Sequence, residues 1–498
     1  MRLTERVRTG TAGRPGVLPG LLIAGAIGAA AGVGWGWLAP RGAVTTTQAL
    51  TSMLLGLAVG LAAGTVSGSR WSLLVGPLLF TAGFELARLG AVGPTVDGIH
   101  LGSTYGIIAF VLGRLFPALL VLAPLVVGAR YGVWLAHCLG RSAVAPRGVG
   151  LAALVLSTVV LFALAWVISR PASTHPIVGP DGQPLPGSIA ELTTVTLGGK
   201  AQALMLRGRS TDSPVLLHLA GGPGGTDLGA MRADTSLEEH FIVVAWDQRG
   251  TGKSYAALDP VATLTLEQMV SDTIELAEHL RQRFGEERIY LTGNSWGTIL
   301  GTLAVQRRPD LFHAYVGTGQ MVSPPETDAM FYEDTLAWAE QGGDHALVAT
   351  LQRNGPPPYA NLLDYEPAIS HEHDWNPYPD LDMSKEMPTN LFVPENSLMD
   401  KVNGLRAFLD TFSVLYPQIQ GVDLRRDAAR LEVPVYLVLG AHEARGRAVP
   451  AQEWFGLLEA PNKELVIFER SGHRPSFEEP AAFAALMQRV LTETYPGE

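Results

Sequence analysis

Gly293-Asn294-Ser295-Trp296-Gly297 is a G-x-S-x-G pentapeptide, the pattern that bends a strand into a helix around an exposed serine. The chain holds 56 glycines, so the spacing alone could be chance and the flanks must decide. Ile289–Leu291 reads as a strand leading in and Thr298–Gln306 as an apolar helix leading out. Small residues two before and two after the serine suit a cramped turn. The helix N-terminus behind it favours developing negative charge.

Serine at its free pKa is a weak nucleophile, so it needs a base, and the base needs an orienting acid. Around such an elbow the chain order is serine, acid, histidine, the last two on loops after late strands. His473, in "FERSGHRP" behind an apparent strand Glu464–Phe468, fits the base. Glu443, in "GAHEARGR" behind Val433–Leu439, fits the acid, with Asp423 and Asp427 just before that strand as competitors. An oxyanion needs two backbone N–H groups aimed at one point. Trp296 would give one; Gly221 or Gly222, in "HLAGGPGG" after Val215–Leu219, would give the other.

Other candidate sites are weaker. "DQRGTGKS" (Asp247–Ser254) ends in Gly-Lys-Ser, but a P-loop needs glycine where Asp247 stands. His371-Glu372-His373-Asp374 is the one dense histidine group, and its spacing reads as a solvated loop rather than a metal site. Cys138 is the single cysteine, so neither an intrachain disulfide nor a cysteine metal cluster can form. No cofactor and no metal are expected.

Strand-length apolar runs alternate with helical ones from Leu192 onward, which predicts a mostly parallel sheet covered on both faces. Leu192–Leu197 and Ala201–Leu206 suggest a hairpin, Phe241–Ala245 a further strand, and Pro450–Leu458 an amphipathic helix. From about 322 to 422 the rhythm breaks into acidic and aromatic stretches too long for a connection, which reads as an inserted helical cap. Residues 171–190, dense in Pro and Gly, read as a linker ahead of a domain at 191–498.

Four stretches in order, "AGGPGG" (Ala220–Gly225), "WDQRGTGKS" (Trp246–Ser254), "GNSWG" and "SGH", resemble the prolyl aminopeptidase (proline iminopeptidase) branch of the α/β-hydrolases over roughly Leu192 to the C-terminus. The resemblance implies a capped α/β-hydrolase with Ser295, Glu443 and His473 as its triad and Gly222 with Trp296 as oxyanion donors. It makes Asp247 and Arg249 structural residues beneath the site. It also implies cap acids holding a substrate's free amine, for which Glu326, Glu333 and Asp334 are candidates beside their plain reading as an exposed acidic helix face. Two positions depart from the pattern: Ala220 stands where the family usually has His, and Glu443 where it usually has Asp.

The first 170 residues are of another kind. They hold twelve Arg, no Lys and three acids, a net +9, leaving −20 for the remainder of a chain whose total is −11. An acidic remainder argues against a nucleic-acid partner. Uncharged or nearly uncharged runs at about 17–38, 48–66, 71–90, 105–128 and 150–169 predict an all-α membrane domain of about five spans. A cleavable signal would account for the first run alone. Arg2, Arg6, Arg8, Arg14, Arg70, Arg130, Arg141 and Arg147 fall on one side against Arg41, Arg88 and Arg170 on the other, which predicts a cytoplasmic start and an extracytoplasmic C-terminal domain. Glu85 and Arg114 lie within apolar runs at depths where they could pair. The Gly- and Ala-rich faces of the first two spans suit close helix packing.

These features predict a membrane-anchored serine hydrolase acting on a peptide or a small amide or ester, with the lipid bilayer as its other partner. Removal of N-terminal proline or a small apolar residue is the leading activity. An esterase or lipase with the same three residues, and a membrane sensor or carrier whose fold only binds, are the alternatives.

Overall fold

A computed structural model describes residues 17–39, 42–90, 99–144, 148–382 and 387–495. Arg2, Arg6, Arg8, Arg14, Arg41 and Arg147, which carry much of the orientation argument, lie outside the described residues. The chain divides into two compact units, one of residues up to 92 with 114–170, the other of 93–113 with 171–498.

The five expected spans become four long apolar helices and one short one. Leu18–Leu38, Thr46–Ser67, Thr104–Cys138 and Gly148–Ser169 are long and apolar enough to cross a membrane. Ser72–Ala87 has 16 residues, about 24 Å of helix at 1.5 Å per residue. The expected span 105–128 is longer than predicted, running from Thr104 to Cys138, and a π turn, Val111–Leu115, interrupts it ahead of Pro117, which has no N–H to return to Gly113. Gly56, Gly60 and Gly64 line one face of Thr46–Ser67. A Cβ on each would fall within about 2 Å of the carbonyl oxygens of Val121, Leu125 and Ala129, so the helices touch backbone to backbone through a small-xxx-small face. Arg114 Nη1 meets Glu85 Oε2 at 3.2 Å.

The second unit is built on eight strands: β1 (Ile189–Leu197), β2 (Lys200–Gly208), β3 (Val215–Leu219), β4 (Ile242–Trp246), β5 (Ile289–Asn294), β6 (Phe312–Thr318), β7 (Val435–Gly440) and β8 (Lys463–Phe468). Their order is β1-β2-β4-β3-β5-β6-β7-β8. Only the β1/β2 and β2/β4 pairs are antiparallel; the rest are parallel. Every residue of β3 to β7 is buried, as expected for strands covered on both faces. The helix Leu266–Phe284 shows how the cover forms. Thr265 caps it, Gly285 ends it in the left-handed conformation, and Met269, Val270, Thr273, Leu276, Ala277 and Leu280 form the buried stripe.

Helices inserted between β6 and β7, among them Pro324–Gly342, Leu362–Ile369 and Leu398–Leu415, make the cap. The parallel strands all end on one side, and the loops that leave β3, β4, β5, β7 and β8 carry Gly222, Asp247, Ser295, Glu443 and His473. Such a sheet places its site at these carboxyl ends.

Three expectations need correction. Residues 99–113 belong with the hydrolase unit and not with the N-terminal helices. The supposed linker is held against the same unit: Arg207 Nη1 donates to Thr174 Oγ1 at 2.7 Å and to the His175 carbonyl at 2.8 Å. The helix placed at Pro450–Leu458 begins at Arg445. Pro450 therefore sits inside it and leaves the Gly446 carbonyl without its helical donor. The Thr327 hydroxyl supplies that hydrogen bond at 2.7 Å, so the early start is tolerated and Arg447 lands one turn past Glu443.

Candidate active site

Ser295 is the only non-glycine residue with positive φ among the described residues, at φ 52° and ψ −120°. It stands between the last residue of β5 and the first of the helix Trp296–Arg307. The glycines on either side are sterically required. A Cβ on Gly293 would lie 2.6 Å from the Gly297 oxygen, and one on Gly297 would lie 2.2 Å from the Leu219 oxygen. A strained conformation held this firmly costs about 1–3 kcal/mol and signals a functional position. Asn294 locks the turn from beside it, its Nδ2 donating to Thr318 Oγ1 at 3.2 Å and to the His473 carbonyl at 3.4 Å.

His473 Nδ1 lies 2.8 Å from Glu443 Oε2. The side chain of Glu443 is fully buried and that of His473 is 18 % exposed. Burial pushes the Glu443 carboxyl up, but the charges of Arg447 and His473 outweigh it and hold the group at about 2. Arg447 is the partner that sequence reasoning missed. Its Nε donates to Glu443 Oε1 at 2.8 Å, its Nη2 is hydrogen-bonded to Glu372, and its guanidinium lies over the Phe331 ring. Glu372 belongs to the His371–Asp374 group that read as a solvated loop. The structure instead takes this cap residue into an ionic chain, Glu372–Arg447–Glu443–His473. Asp423 and Asp427, the rival acids, pair with Arg425 and Arg426.

Replacing Arg447 with Met should leave the buried Glu443 and the partly exposed Glu372 without their shared cation, at a cost of about 3–5 kcal/mol. Urea unfolding would register this as a lower midpoint. Arg447→Lys should recover only part of it, since an ammonium keeps the charge and loses the fork.

The Gly-rich loop after β3 is anchored by Asp227. Its Oδ2 accepts from the Gly221 N–H at 3.3 Å and from His218 Nε2 at 3.1 Å, and its Oδ1 accepts from Arg474 at 2.7 Å. Burial raises the Asp227 carboxyl, and Arg474 and His218 more than offset it, leaving about 2. Gly221 thus spends its N–H inside the protein, which removes it from the expected oxyanion pair. Trp296 is the first residue of its helix, where an N–H has no intrahelical acceptor. Gln248 ties the two sides together: its Nε2 donates to the Ala220 carbonyl at 3.1 Å and its Oε1 accepts from the Trp296 indole at 3.0 Å.

Asp247 accepts from the Thr226 hydroxyl and from the Lys253 N–H beneath the loop. Arg249 is fully buried and paired with Asp272 at 2.7 Å. Both are buried.

A cavity of about 220 Å³ joins these parts. Gly222, Ser295 and His473 line it, with Leu391, Leu405 and Phe408 of the cap as its apolar side. Glu326, Glu333 and Asp334 are not among its lining residues. Glu326 pairs with Arg425, and Glu333 and Asp334 pair with Arg445 on an exposed helix face. Among the described residues no group of His, Cys, Asp and Glu could hold a metal ion.

A profile of the Alpha/beta hydrolase family matches residues 215–486, over half of the chain. The protein belongs to the α/β-hydrolase family. It is similar to a probable aminopeptidase, YbaC, of Bacillus subtilis, at 30% identity over 315 residues, covering 61% of this chain and 96% of the relative. A putative carbamate hydrolase, RutD, of Enterobacter cloacae is 25% identical over 281 residues, covering 56% and 91%. A probable proline iminopeptidase of Leptolyngbya boryana is 30% identical over 131 residues, covering 26% and 39%.

Proposed function

We propose that this protein is a membrane-anchored serine hydrolase that removes N-terminal proline or a small apolar residue from a peptide. The observation that carries the reading is the strained Ser295 lining the same cavity as a histidine bonded to a buried carboxylate. His473 takes the Ser295 proton as Oγ attacks the carbonyl carbon, and Glu443 holds the imidazolium that forms. The oxyanion rests on the N–H groups of Trp296 and Gly222. The imidazolium then protonates the leaving amine, and water releases the acyl group by the same steps in reverse order.

The names of the relatives and the apolar wall of Leu391, Leu405 and Phe408 support the choice of acyl group. Four long apolar helices support a multi-pass anchor, and with Ser72–Ala87 as a fifth crossing the arginine distribution favours a hydrolase unit outside the cytoplasm. The bilayer would be its partner. Protease shaving of intact cells should release this unit, and its protection would reverse the orientation.

One observation favours ester hydrolysis as a second reading. Asp227 is the only acid lining the cavity among the described residues, and both its oxygens are engaged, so a free amine finds no spare carboxylate there. Parallel turnover of proline naphthylamide and p-nitrophenyl esters separates the two. Amide cleavage at rates comparable to the ester supports the peptidase; ester turnover with no amide cleavage eliminates it. A fluorophosphonate that fails to label the wild type would leave only a binding role.

A further inference from the structure

Residues Ile99–Gly113 lie far upstream of the family match, which begins at Val215, yet they group with the hydrolase unit. The helix Thr104–Phe110 starts against the cap. Glu366, itself buried, accepts the Thr104 N–H on Oε1 at 2.5 Å and the Tyr105 N–H on Oε2 at 3.0 Å. Ser103 Oγ takes the next one, from Gly106, at 2.9 Å. Three donors that a helix start leaves without partners are thereby satisfied, two of them by one cap carboxylate.

This anchorage fixes where Tyr105 points. Its ring meets Phe408 edge to face, with centroids 6.2 Å apart and planes at 80°, a favourable arrangement of ring quadrupoles. Phe408 lines the cavity with Ser295. Its backbone also supports the Gly-rich loop: a Cβ on Gly224 would lie 2.7 Å from the Phe408 carbonyl oxygen. Phe408 is therefore held between Tyr105 and Phe412, at 5.8 Å, while facing the cavity.

We infer that Tyr105 is a positioning residue for the substrate's acyl group: tied down through Glu366, its ring sets Phe408 and with it the apolar wall of the cavity. The inference rests on the serine hydrolase reading. It gives the N-terminal third of the sequence a part in substrate selection that residues 171–498 alone would lack.

The test uses the full-length protein in detergent, with p-nitrophenyl acetate and p-nitrophenyl butyrate as substrates. The longer acyl chain reaches the wall that the shorter one does not fill. Tyr105→Ala should raise KM for the butyrate by roughly three- to tenfold and lower the preference for butyrate over acetate accordingly. Tyr105→Phe keeps the ring and should restore the wild-type preference. Tyr105→Leu, which preserves apolar bulk, replaces the Ala variant should that one not fold, and should show the same loss. A butyrate-to-acetate preference unchanged in both Tyr105→Ala and Tyr105→Leu overturns the inference while the hydrolase reading stands. A wild type that neither turns over the esters nor accepts a fluorophosphonate on Ser295 overturns that reading, and this inference with it.

Discussion

Ser295→Ala should lower kcat by about 10⁶ with no loss of folded protein. The hydroxyl is the attacking group of the proposed mechanism, and no neighbouring side chain can replace its oxygen in the turn. A residual rate remains from the oxyanion donors and from binding alone. The change keeps a Cβ at φ 52°, so the backbone strain and the thermal midpoint should hardly move. Ser295→Gly should differ in one respect. Glycine occupies positive φ without penalty, so this variant should be as inactive as Ser295→Ala and more stable by about 1–2 kcal/mol. Steady-state kinetics and thermal melts of the three proteins check both statements. Turnover within tenfold of wild type in Ser295→Ala would remove Ser295 from the chemistry.

The second large effect is expected at Glu443. Glu443→Gln should lower kcat by about 10⁴, because the amide cannot hold His473 in the tautomer that presents a free Nε2 to Ser295. It also takes the anion from between His473 and Arg447, so loss of stability should accompany the loss of rate. The pH dependence follows from the depressed carboxyl, about 2 against an ordinary 4.5. A carboxylate whose folded pKa is lowered stabilises the protein above its unfolded pKa, and that contribution disappears as pH falls through the folded value. Glu443 should therefore contribute in full above about pH 4.5 and lose its contribution progressively down to about pH 2. In Glu443→Gln this component of the acid transition should be absent, and unfolding against pH should be flatter over that interval. Since Glu443 is ionised throughout the working range, the acid limb of kcat/KM should not report its titration.

Several of these features are readable in one dimension because their causes are local. A strand, a serine that must take positive φ, and a helix can be joined in few ways, and Gly293 and Gly297 are needed wherever that joint occurs. The mostly parallel sheet and the cap were legible for a similar reason, since strands covered on both faces leave continuous apolar runs and an insertion interrupts their rhythm. The helix Arg445–Leu457 was misplaced because Pro450 looked like a start. The hydroxyl that compensates for it comes from Thr327, more than a hundred residues away.

The sequence by itself determined the elbow, the order of Ser295, Glu443 and His473 along the chain, the alternation that makes the sheet, and the apolar N-terminal helices. Each follows from residue type and short spacing, through backbone sterics and burial. Only the tertiary structure decided which charges are spent and on what. Glu326, Glu333 and Asp334 face arginines rather than the cavity, and Gly221 gives its N–H to Asp227. Arg447 joins Glu372 to Glu443, and Glu366 anchors Tyr105 from a distance of 261 residues. A charge or a hydrogen-bond donor acquires its role from the partner that packing brings to it, and partners so far apart leave no common period in the chain.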